Sequence, residues 1–393
     1  MRVLMINVVC GIRSTGRICT DLAIALEKQG HEVKIAYGRE DVPACYQKYA
    51  VRVGSDLDVI LHGFKKLIMD EDGRGSKRVT ERFLKWVREY DPDIIHLHNV
   101  LGYYINIPLL FDYLKQSKKR VIWTLHDCSA FTGGCAYFEY AGCKRWQESC
   151  GKCPQRGSFP KRRLSDHTAR ILSDNRILYT GLEDLTIVTP SEWLVKYVEQ
   201  SFLNQYSSIV INNGVNTDCF YNKGDVLRKK LGLEGKKIIL GVASPWSERK
   251  GLKDFVELST MLSQEKYQIV LIGLSKEQIS NLPGNIVGVE RTDSVDELAE
   301  YYSMADVFVN PTYEDNYPTT NLEAIACGTP VITYDTGGSG ESASLFGAVV
   351  GKGDIQGLHD IIKSDFCPTF NESIRALISV DHCISEYMKL YDR

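Results

Sequence analysis

Short apolar segments and amphipathic helical segments alternate along most of this chain. In the first half the apolar runs lie at residues 2–9, 31–37, 93–100, 120–127 and 185–190. In the second half they lie at residues 238–244, 267–274, 285–290, 305–309 and 331–334. Parallel strands need long crossover connections, usually helices, so this alternation is typical of parallel sheets covered on both faces. We therefore predict an α/β fold with two doubly wound, Rossmann-like domains that face each other across a cleft.

The length and a polar break near Ser207 define the predicted domains. With 393 residues, 44% of them hydrophobic, the chain can form two or three cores. We predict an N-terminal domain at 1–206 and a second domain at 207–376. A Cys-rich insertion is predicted within the first domain at 128–157, and a basic helix follows it at 160–179.

Composition and charge restrict where the chain works and what it binds. No apolar run approaches the ~18 residues that a membrane span needs, and the N-terminus lacks the pattern of a secretion signal, so we expect a cytoplasmic protein. Residues 1–200 carry 30 Lys and Arg against 24 Asp and Glu, whereas residues 201–393 carry 17 against 26. A basic first half fits an acceptor or an anionic membrane surface, although solvated charge without a partner explains it equally. No basic run interleaved with aromatic residues indicates nucleic acid.

The segment 305–336 predicts a strand at 305–309, a polar loop, a short helix and a second strand at 331–334. Thr320 with Glu323 three residues later is typical of a capping box at a helix N-terminus. The amides of Thr320 and Asn321 would then point outward with the positive end of the helix dipole behind them. This arrangement suits an anion such as a diphosphate, whereas capping alone would also explain Glu323.

Two cations and two glycines follow other predicted strands. Arg249 and Lys250 come between a strand and a helix, where they could reach a diphosphate or simply be solvated. Gly11 and Gly16 lie in the loop after the first strand and would let backbone approach a ligand. Their spacing does not match the dinucleotide fingerprint, so a nicotinamide cofactor is not supported.

Histidines mark the ends of two strands in the first half. His126, beside Asp127, could hydrogen-bond a sugar hydroxyl or move a proton, or it could be a core histidine. His96 and His98 share one face of a strand, but a pair without a third ligand is weak evidence for a metal.

Four cysteines occur within nineteen residues: Cys135, Cys143, Cys150 and Cys153. In a cytoplasmic chain such a cluster favours a structural zinc site over disulfides. Thiols without a metal, or one oxidised pair, are the alternatives.

Several of these residues match the motifs of a known family. Asp315, seven further residues, Glu323 and the run AIACGTPV resemble the donor-binding motif of glycosyltransferase family four, which has the GT-B fold. The NGV turn at 213–215 is similar to the family's entry to its second domain. The TLHD and FTGGC segments with the cysteine cluster resemble the bacterial branch that builds capsule and exopolysaccharide.

The resemblance implies a retaining hexosyltransferase that moves a sugar from a nucleoside diphosphate sugar to a glycan or polyprenyl-linked acceptor, without a catalytic metal or other cofactor. It implies that Lys250 and Arg249 neutralise the leaving diphosphate and that Asp315 and His126 hold the transferred sugar. It implies that the domain at 1–206 is the acceptor side and that the domain at 207–376 binds the donor nucleotide sugar. The implied donor-binding residues are Gly16, Thr319, Thr320, Asn321, Leu322 and Glu323. It further implies that the C-terminal helix at 377–393 packs back on the first domain, and that the enzyme works at the inner face of the membrane. A sugar-nucleotide epimerase or hydrolase and a non-catalytic sugar-nucleotide-binding protein are the alternatives.

Overall fold

A computed structural model describes residues 1–69, 73–155, 166–364 and 366–393. They divide into two compact units. The first contains Met1–Ile211 together with Ile384–Arg393, and the second contains Asn212–Cys383. Each unit has its own parallel sheet, so the predicted α/β class with two doubly wound sheets is confirmed.

The first unit is built on a parallel sheet in which the described residues form seven strands. They are β1 (Arg2–Ile6), β2 (Glu32–Tyr37), β3 (Ala50–Arg52), β4 (Ile94–Leu97), β5 (Arg120–Thr124), β6 (Leu185–Thr189) and β7 (Ser207–Val210). Their order is β3-β2-β1-β4-β5-β6-β7. The order reverses between β1 and β4, and the carboxyl edge at such a switch point is where open α/β sheets bind ligands.

Helices cover both faces of this sheet. They are α1 (Arg13–Lys28), α2 (Asp56–Met69), α3 (Lys77–Tyr90), α4 (Ile107–Ser117), α5 (Thr168–Tyr179) and α6 (Glu192–Glu199). In α1 the buried residues Cys19, Leu22 and Leu26 recur at helical spacing, which gives the helix one apolar face for the sheet. Asn106 begins α4 by accepting a hydrogen bond from the amide of Leu109, a side-chain cap.

The second unit has the same layered plan. Its strands are β8 (Lys237–Val242), β9 (Tyr267–Ile272), β10 (Ile286–Val289), β11 (Val307–Asn310), β12 (Val331–Tyr334) and β13 (Gly347–Val350), in the order β10-β9-β8-β11-β12-β13. Ile239 and Leu240 of β8 pack into different apolar clusters, because neighbouring residues of a strand face opposite sides of the sheet.

The remaining helices follow in chain order. They are α7 (Val226–Lys230), α8 (Leu252–Met261), α9 (Lys276–Ser280), α10 (Val295–Met304), α11 (Thr319–Ala326), α12 (Ser339–Ala343), α13 (Ile355–Lys363), α14 (Glu372–Leu377) and α15 (Val380–Tyr391). Ser275 and Gln278 form a capping box at the start of α9. No helix in the described ranges is both long and apolar enough to cross a bilayer.

The ends of the units differ from the predicted domain limits. The first unit extends to Ile211 rather than 206, because Ser207–Val210 pairs in parallel with β6. The first unit also includes Ile384–Arg393, within the segment 377–393 that was expected to pack there.

Two helices of the first unit begin at other residues than expected. α1 begins at Arg13, so Gly16 lies inside a helix and not in the predicted loop. α5 begins at Thr168, within the predicted basic helix at 160–179. Residues 156–165, which include the end of the Cys-rich insertion and the start of that basic helix, lie outside the described residues.

Candidate functional site

Three loops meet at the carboxyl edge of the second sheet. They follow the adjacent strands β8, β11 and β12. The amide of Tyr313 donates to the carbonyl of Arg249 at 2.8 Å, which joins the loops after β11 and β8. The hydroxyl of Thr336 donates to the carbonyl of Thr312 at 2.6 Å, which joins the loops after β12 and β11.

Gly337 lets two of these loops approach closely. Its φ of +58° is in the left-handed region, and a Cβ built on it would lie 1.8 Å from the carbonyl oxygen of Asp315. The next amide, of Gly338, donates to that same oxygen at 3.0 Å. Only glycine combines this φ with this close approach, so the glycine holds the backbone of Asp315 in place.

Lys250 and Asp315 are brought together at this edge as an ion pair. Their side chains are only 20% and 14% exposed, so the pair is largely shielded from solvent. Burial raises the pKa of Asp315, but the neighbouring Lys250 and Arg249 charges, with hydrogen bonds from Lys250 and the Asn316 amide, lower its pKa overall. Asp315 is therefore ionised at neutral pH and holds the ammonium group in a fixed position.

Arg249 lies beside this pair. Its guanidinium donates to the backbone carbonyl of Glu314, and its own carbonyl accepts from the amide of Tyr313. Glu314 itself is buried. The two predicted cations and Asp315 are thus fixed on the same pair of loops.

The N-terminus of α11 is open at its first residues. Thr319 and Thr320 are both partly exposed, and the first amides of a helix have no partner within it. The predicted capping box is wrong. The N-cap is Pro318, no side chain caps the helix, and Thr320 is the second helical residue. Glu323 instead accepts a hydrogen bond from the hydroxyl of Tyr302 at 2.9 Å.

Two other predicted donor residues have buried side chains. The side-chain oxygen of Asn321 accepts a hydrogen bond from the side-chain amide of Asn310 at 2.8 Å. The side-chain amide of Asn321 donates to the hydroxyl of Ser342 at 2.9 Å. Leu322 is fully buried in the core. These two side chains hold α11 against the sheet and α12, so they can reach a ligand only through their backbone.

The first unit has a row of histidines at the carboxyl edge of its sheet. The rings of His96 and His98 lie 4.1 Å apart between centroids, and Nδ1 of His98 lies 3.1 Å from Nε2 of His126. His96 also contacts the hydroxyls of Tyr391 at 2.5 Å and Thr124 at 2.8 Å. Burial lowers the pKa of His96 to about 3 and that of His126 to about 4, so both rings are neutral at physiological pH.

A cavity of about 290 Å³ lies at this edge of the first unit. His98, His126, Asp127 and Arg39 are among the residues that line it. His98 is 2% exposed, and its Nε2 atom has no hydrogen-bond partner among the described residues. The sequence predicted a role for His126 but none for His98 in binding a ligand. The placement of His98 two residues after His96, on the same face of the predicted strand, was the sequence pattern that could have indicated such a role.

Gly16 is buried within α1 and packs against the loop after β1. Its carbonyl accepts from the amide of Gly11 at 3.1 Å, and a Cβ on Gly16 would lie 3.1 Å from the side chain of Val9. The glycine therefore allows the first turns of α1 to pack on the loop after β1. Gly16 and His126 belong to the first unit, whereas the other predicted donor residues belong to the second.

The four predicted zinc ligands, Cys135, Cys143, Cys150 and Cys153, line one pocket of about 20 Å³ in the first unit. The turn from Cys150 to Cys153, called the knuckle below, has positive φ values at Cys150, Gly151 and Lys152. No group of three or more His, Cys, Asp or Glu side chains in the described ranges is arranged to hold a metal ion. Zinc at this position stays a prediction.

Two family models match the chain. One is described as "Glycosyltransferase Family 4" and covers residues 15–219, and the other is described as "Glycosyl transferases group 1" and covers residues 236–364. The first match includes His126 and the cysteine cluster, and the second includes Lys250, Asp315 and Glu323.

Curated bacterial relatives are also similar to the chain. The colanic acid biosynthesis glycosyl transferase WcaC of Escherichia coli K12 is 23% identical over 333 residues, 79% of each chain. An N,N'-diacetylbacillosaminyl-diphospho-undecaprenol alpha-1,3-N-acetylgalactosaminyltransferase of Campylobacter jejuni is 30% identical over 146 residues, which is 35% of this chain and 38% of the relative.

Solved structures match along the whole chain. A sucrose-phosphate synthase from Thermosynechococcus elongatus has a TM-score of 0.71 at 19% identity and covers 100% of this chain and 98% of its own. Anabaena HepE in complex with UDP has a TM-score of 0.66 at 13% identity, with 100% of both chains covered. At these identities the likeness shows the fold, and the predicted GT-B fold is confirmed. The chain belongs to glycosyltransferase family 4, as its motifs predicted.

Proposed function

We propose that this glycosyltransferase moves a hexosyl group from a nucleoside diphosphate sugar to a lipid-linked or glycan acceptor, with retention of anomeric configuration. The observation that carries the proposal is the Lys250–Asp315 ion pair, which lies beside Arg249 and joins the loop after β8 to the loop that leads to the open N-terminus of α11. The donor diphosphate binds at this edge.

The charges at this edge favour a diphosphate as ligand. Lys250 and Arg249 supply two positive charges, and the first amides of α11 supply hydrogen-bond donors at the positive end of a helix dipole. Positively charged groups near a helix N-terminus are unfavourable unless an anion lies between them. Asp315 partly neutralises Lys250. Because its carboxylate repels anions, the diphosphate binds on the side of Lys250 that faces away from Asp315, and this fixes the orientation of the diphosphate.

Other site residues bind the sugar nucleotide in this proposal. In the second unit, Glu323 accepts hydrogen bonds from the ribose hydroxyls, and the ionised Asp315 accepts them from hydroxyls of the transferred sugar. In the first unit, His126 accepts from or donates to a sugar hydroxyl. The amides of Thr319 and Thr320 contact the diphosphate.

The chemistry needs stabilisation of a leaving group. The bond between the anomeric carbon and the diphosphate oxygen breaks, the diphosphate keeps the electron pair, and the acceptor oxygen bonds to the same face while its proton passes to the diphosphate. The two cations and the helix amides stabilise the charge that develops on the leaving oxygen, and no metal is required. No carboxylate of this chain is assigned as a covalent nucleophile.

The acceptor is proposed from the relatives. The E. coli relative is named for colanic acid biosynthesis, and the Campylobacter relative is named for a diphospho-undecaprenol acceptor. We propose an acceptor of this class for surface polysaccharide, bound in the first unit at the cavity lined by His98 and His126. The hydroxyl of a sugar ring can serve the unpartnered Nε2 of His98 either as donor or as acceptor.

Thermal unfolding with a panel of nucleotide sugars tests the donor proposal. A ligand that binds only the native state raises the unfolding temperature, and a donor at about 100 times its Kd stabilises by roughly 2.7 kcal/mol. We expect one nucleoside diphosphate sugar, with UDP sugars tested first, to raise the unfolding temperature. We expect its free nucleoside monophosphate, which lacks the diphosphate, to raise it less. An unchanged temperature across the panel would contradict the donor site.

Product analysis separates transfer from the other enzyme classes. With donor and a lipid-linked acceptor, we expect glycosylated acceptor as the main product. Free sugar or an epimerised nucleotide sugar as the main product would support the hydrolase or epimerase, and donor binding without turnover would support a binding protein.

We also propose that Cys135, Cys143, Cys150 and Cys153 hold a structural zinc ion. The common pocket and the left-handed knuckle between Cys150 and Cys153 support this, because thiolates are typical zinc ligands. Elemental analysis of the purified protein should find about one zinc per chain, and Cys150→Ser with Cys153→Ser should remove it. Cys45→Ser with Cys367→Ser, which replaces two exposed cysteines elsewhere, is the control. A wild-type protein without zinc would contradict the proposal.

A further inference from the structure

The α2 helix exposes a stripe of large apolar side chains. Leu57, Ile60, Leu61 and Phe64 are 64%, 66%, 54% and 60% exposed. Their spacing of three, four and seven residues places all four on one side of the helix. Single exposed apolar residues are ordinary on soluble proteins, but a contiguous stripe of this kind marks an interaction surface. We call these four residues the α2 stripe.

The opposite side of α2 is anchored in the first unit. His62 is buried, accepts from the amide of Gly75 at 3.1 Å and contacts the hydroxyl of Ser76 at 2.9 Å. Its ring lies 5.7 Å from that of Tyr103. These contacts fix the inner side of α2 against the first unit, so the α2 stripe must face outward.

The segment from the end of α2 through α3 is basic: residues 65–89 carry eight Lys and Arg against five Asp and Glu, of which residues 70–72 lie outside the described ranges. Lys65 is exposed on α2, and the next helix, α3, carries the exposed residues Lys77, Arg78, Arg82, Lys85 and Arg88 against Glu81 and Glu89. Ser76, which contacts His62, directly precedes Lys77, so these cations start next to α2. The acidic residues at the start of α2 have their own partners, since Asp56 pairs with Arg52 and Asp58 accepts from Ser55.

We propose that the α2 stripe is where the first unit docks on an anionic membrane surface. The proposal rests on the proposed lipid-linked acceptor and names the surface that meets the bilayer carrying it. An amphipathic helix binds the membrane interface with its apolar side in the acyl boundary and with Lys and Arg near the head groups. Anionic lipids attract the cations of this basic segment, whereas a second copy of this chain on the same stripe would bring like charges together.

The helix that carries the stripe lies beside the cavity of the first unit. Tyr103, whose ring contacts that of His62 on the inner face of α2, also lines the cavity that holds His98 and His126. A membrane held by the α2 stripe would present its acceptor head groups to this same edge of the sheet.

Flotation with lipid vesicles tests the proposal without donor or acceptor present. We expect the full chain to float with phosphatidylglycerol-containing vesicles, to float less at high salt and to float least with pure phosphatidylcholine. Replacing all four stripe residues with glutamine keeps helix propensity and removes the apolar contact. This variant should need at least about tenfold more lipid for half-maximal binding.

Ile177→Gln combined with Leu377→Gln is the matched control, because these side chains are 71% and 45% exposed outside the stripe. It should bind vesicles as the wild type does, and circular dichroism should show both variants folded. Equal vesicle binding by the stripe variant, no binding by the wild type, or a stripe-dependent dimer in sedimentation would each overturn the proposal. Thermal stabilisation by the donor should persist in the stripe variant, so failure of membrane docking is distinguishable from failure of the proposed transferase function.

Discussion

Replacing Lys250 with alanine is expected to lower kcat/KM for transfer by roughly 10²- to 10³-fold while the chain stays folded, the loss typical of removing one charge-stabilising group. In the proposed function, Lys250 supplies one of the two cations that stabilise the diphosphate. Its removal also leaves the largely shielded carboxylate of Asp315 without its ion-pair partner, next to the proposed position of the leaving group. Both effects raise the energy of a transition state in which negative charge moves onto the diphosphate.

The chain offers a close control for this variant. Lys253 lies three residues further on, is 78% exposed and pairs with Glu248. Lys253→Ala removes the same charge from the same neighbourhood, and we expect it to change kcat/KM by less than about twofold, since exposed ion pairs contribute little.

A second variant separates the two effects of Lys250→Ala. Adding Asp315→Asn to it removes the unpaired carboxylate, so any rate recovered measures repulsion by Asp315 and the remaining deficit measures lost stabilisation of the diphosphate. Steady-state rates with the preferred donor supply the comparison. Full activity of Lys250→Ala would refute the site.

Replacing Tyr391 with alanine is expected to lower the free energy of unfolding of the first unit by about 3 to 5 kcal/mol, the usual cost of deleting a buried aromatic side chain. Tyr391 is 1% exposed, and its hydroxyl contacts Nδ1 of His96 at 2.5 Å. The variant removes the ring from the core and leaves the buried His96 nitrogen without this partner.

Amide hydrogen exchange locates this effect. In Tyr391→Ala we expect faster exchange in β4 and β5, while the sheet of the second unit serves as an internal reference. Tyr391→Phe removes only the hydroxyl and should cost about 1 kcal/mol, and Tyr140→Ala, at a tyrosine that is 42% exposed, should cost less. Unchanged exchange in β4 and β5 of Tyr391→Ala would show that the first unit does not depend on this contact.

Much of the fold was accessible from local patterns. Apolar strands such as residues 331–334 and amphipathic helices such as α1 follow from periodicity and predicted both sheets. The end of the first unit was missed by five residues because Ser207–Val210 is a half-exposed edge strand with a weak apolar pattern. Its pairing with β6, not its sequence, assigns it to the first sheet.

The site was partly accessible for the same reason. Arg249, Lys250 and Asp315 were predicted from their positions after strands, and the carboxyl ends of parallel strands meet at one edge. The contact between Tyr391 and His96 joins residues 295 positions apart, and no local pattern predicts such a pair. The expected cap at Thr320 failed because Pro318 starts the helix earlier, and the Tyr302 hydroxyl binds Glu323.

The membership of Ile384–Arg393 in the first unit affects how the protein folds during synthesis. A nascent chain usually folds its N-terminal domain first. Here Tyr387 and Tyr391, which contact Thr124 and His96, are synthesised only after the whole second unit, Asn212–Cys383. The first unit therefore cannot complete its core before the second unit has left the ribosome, and the two units fold in an overlapping order.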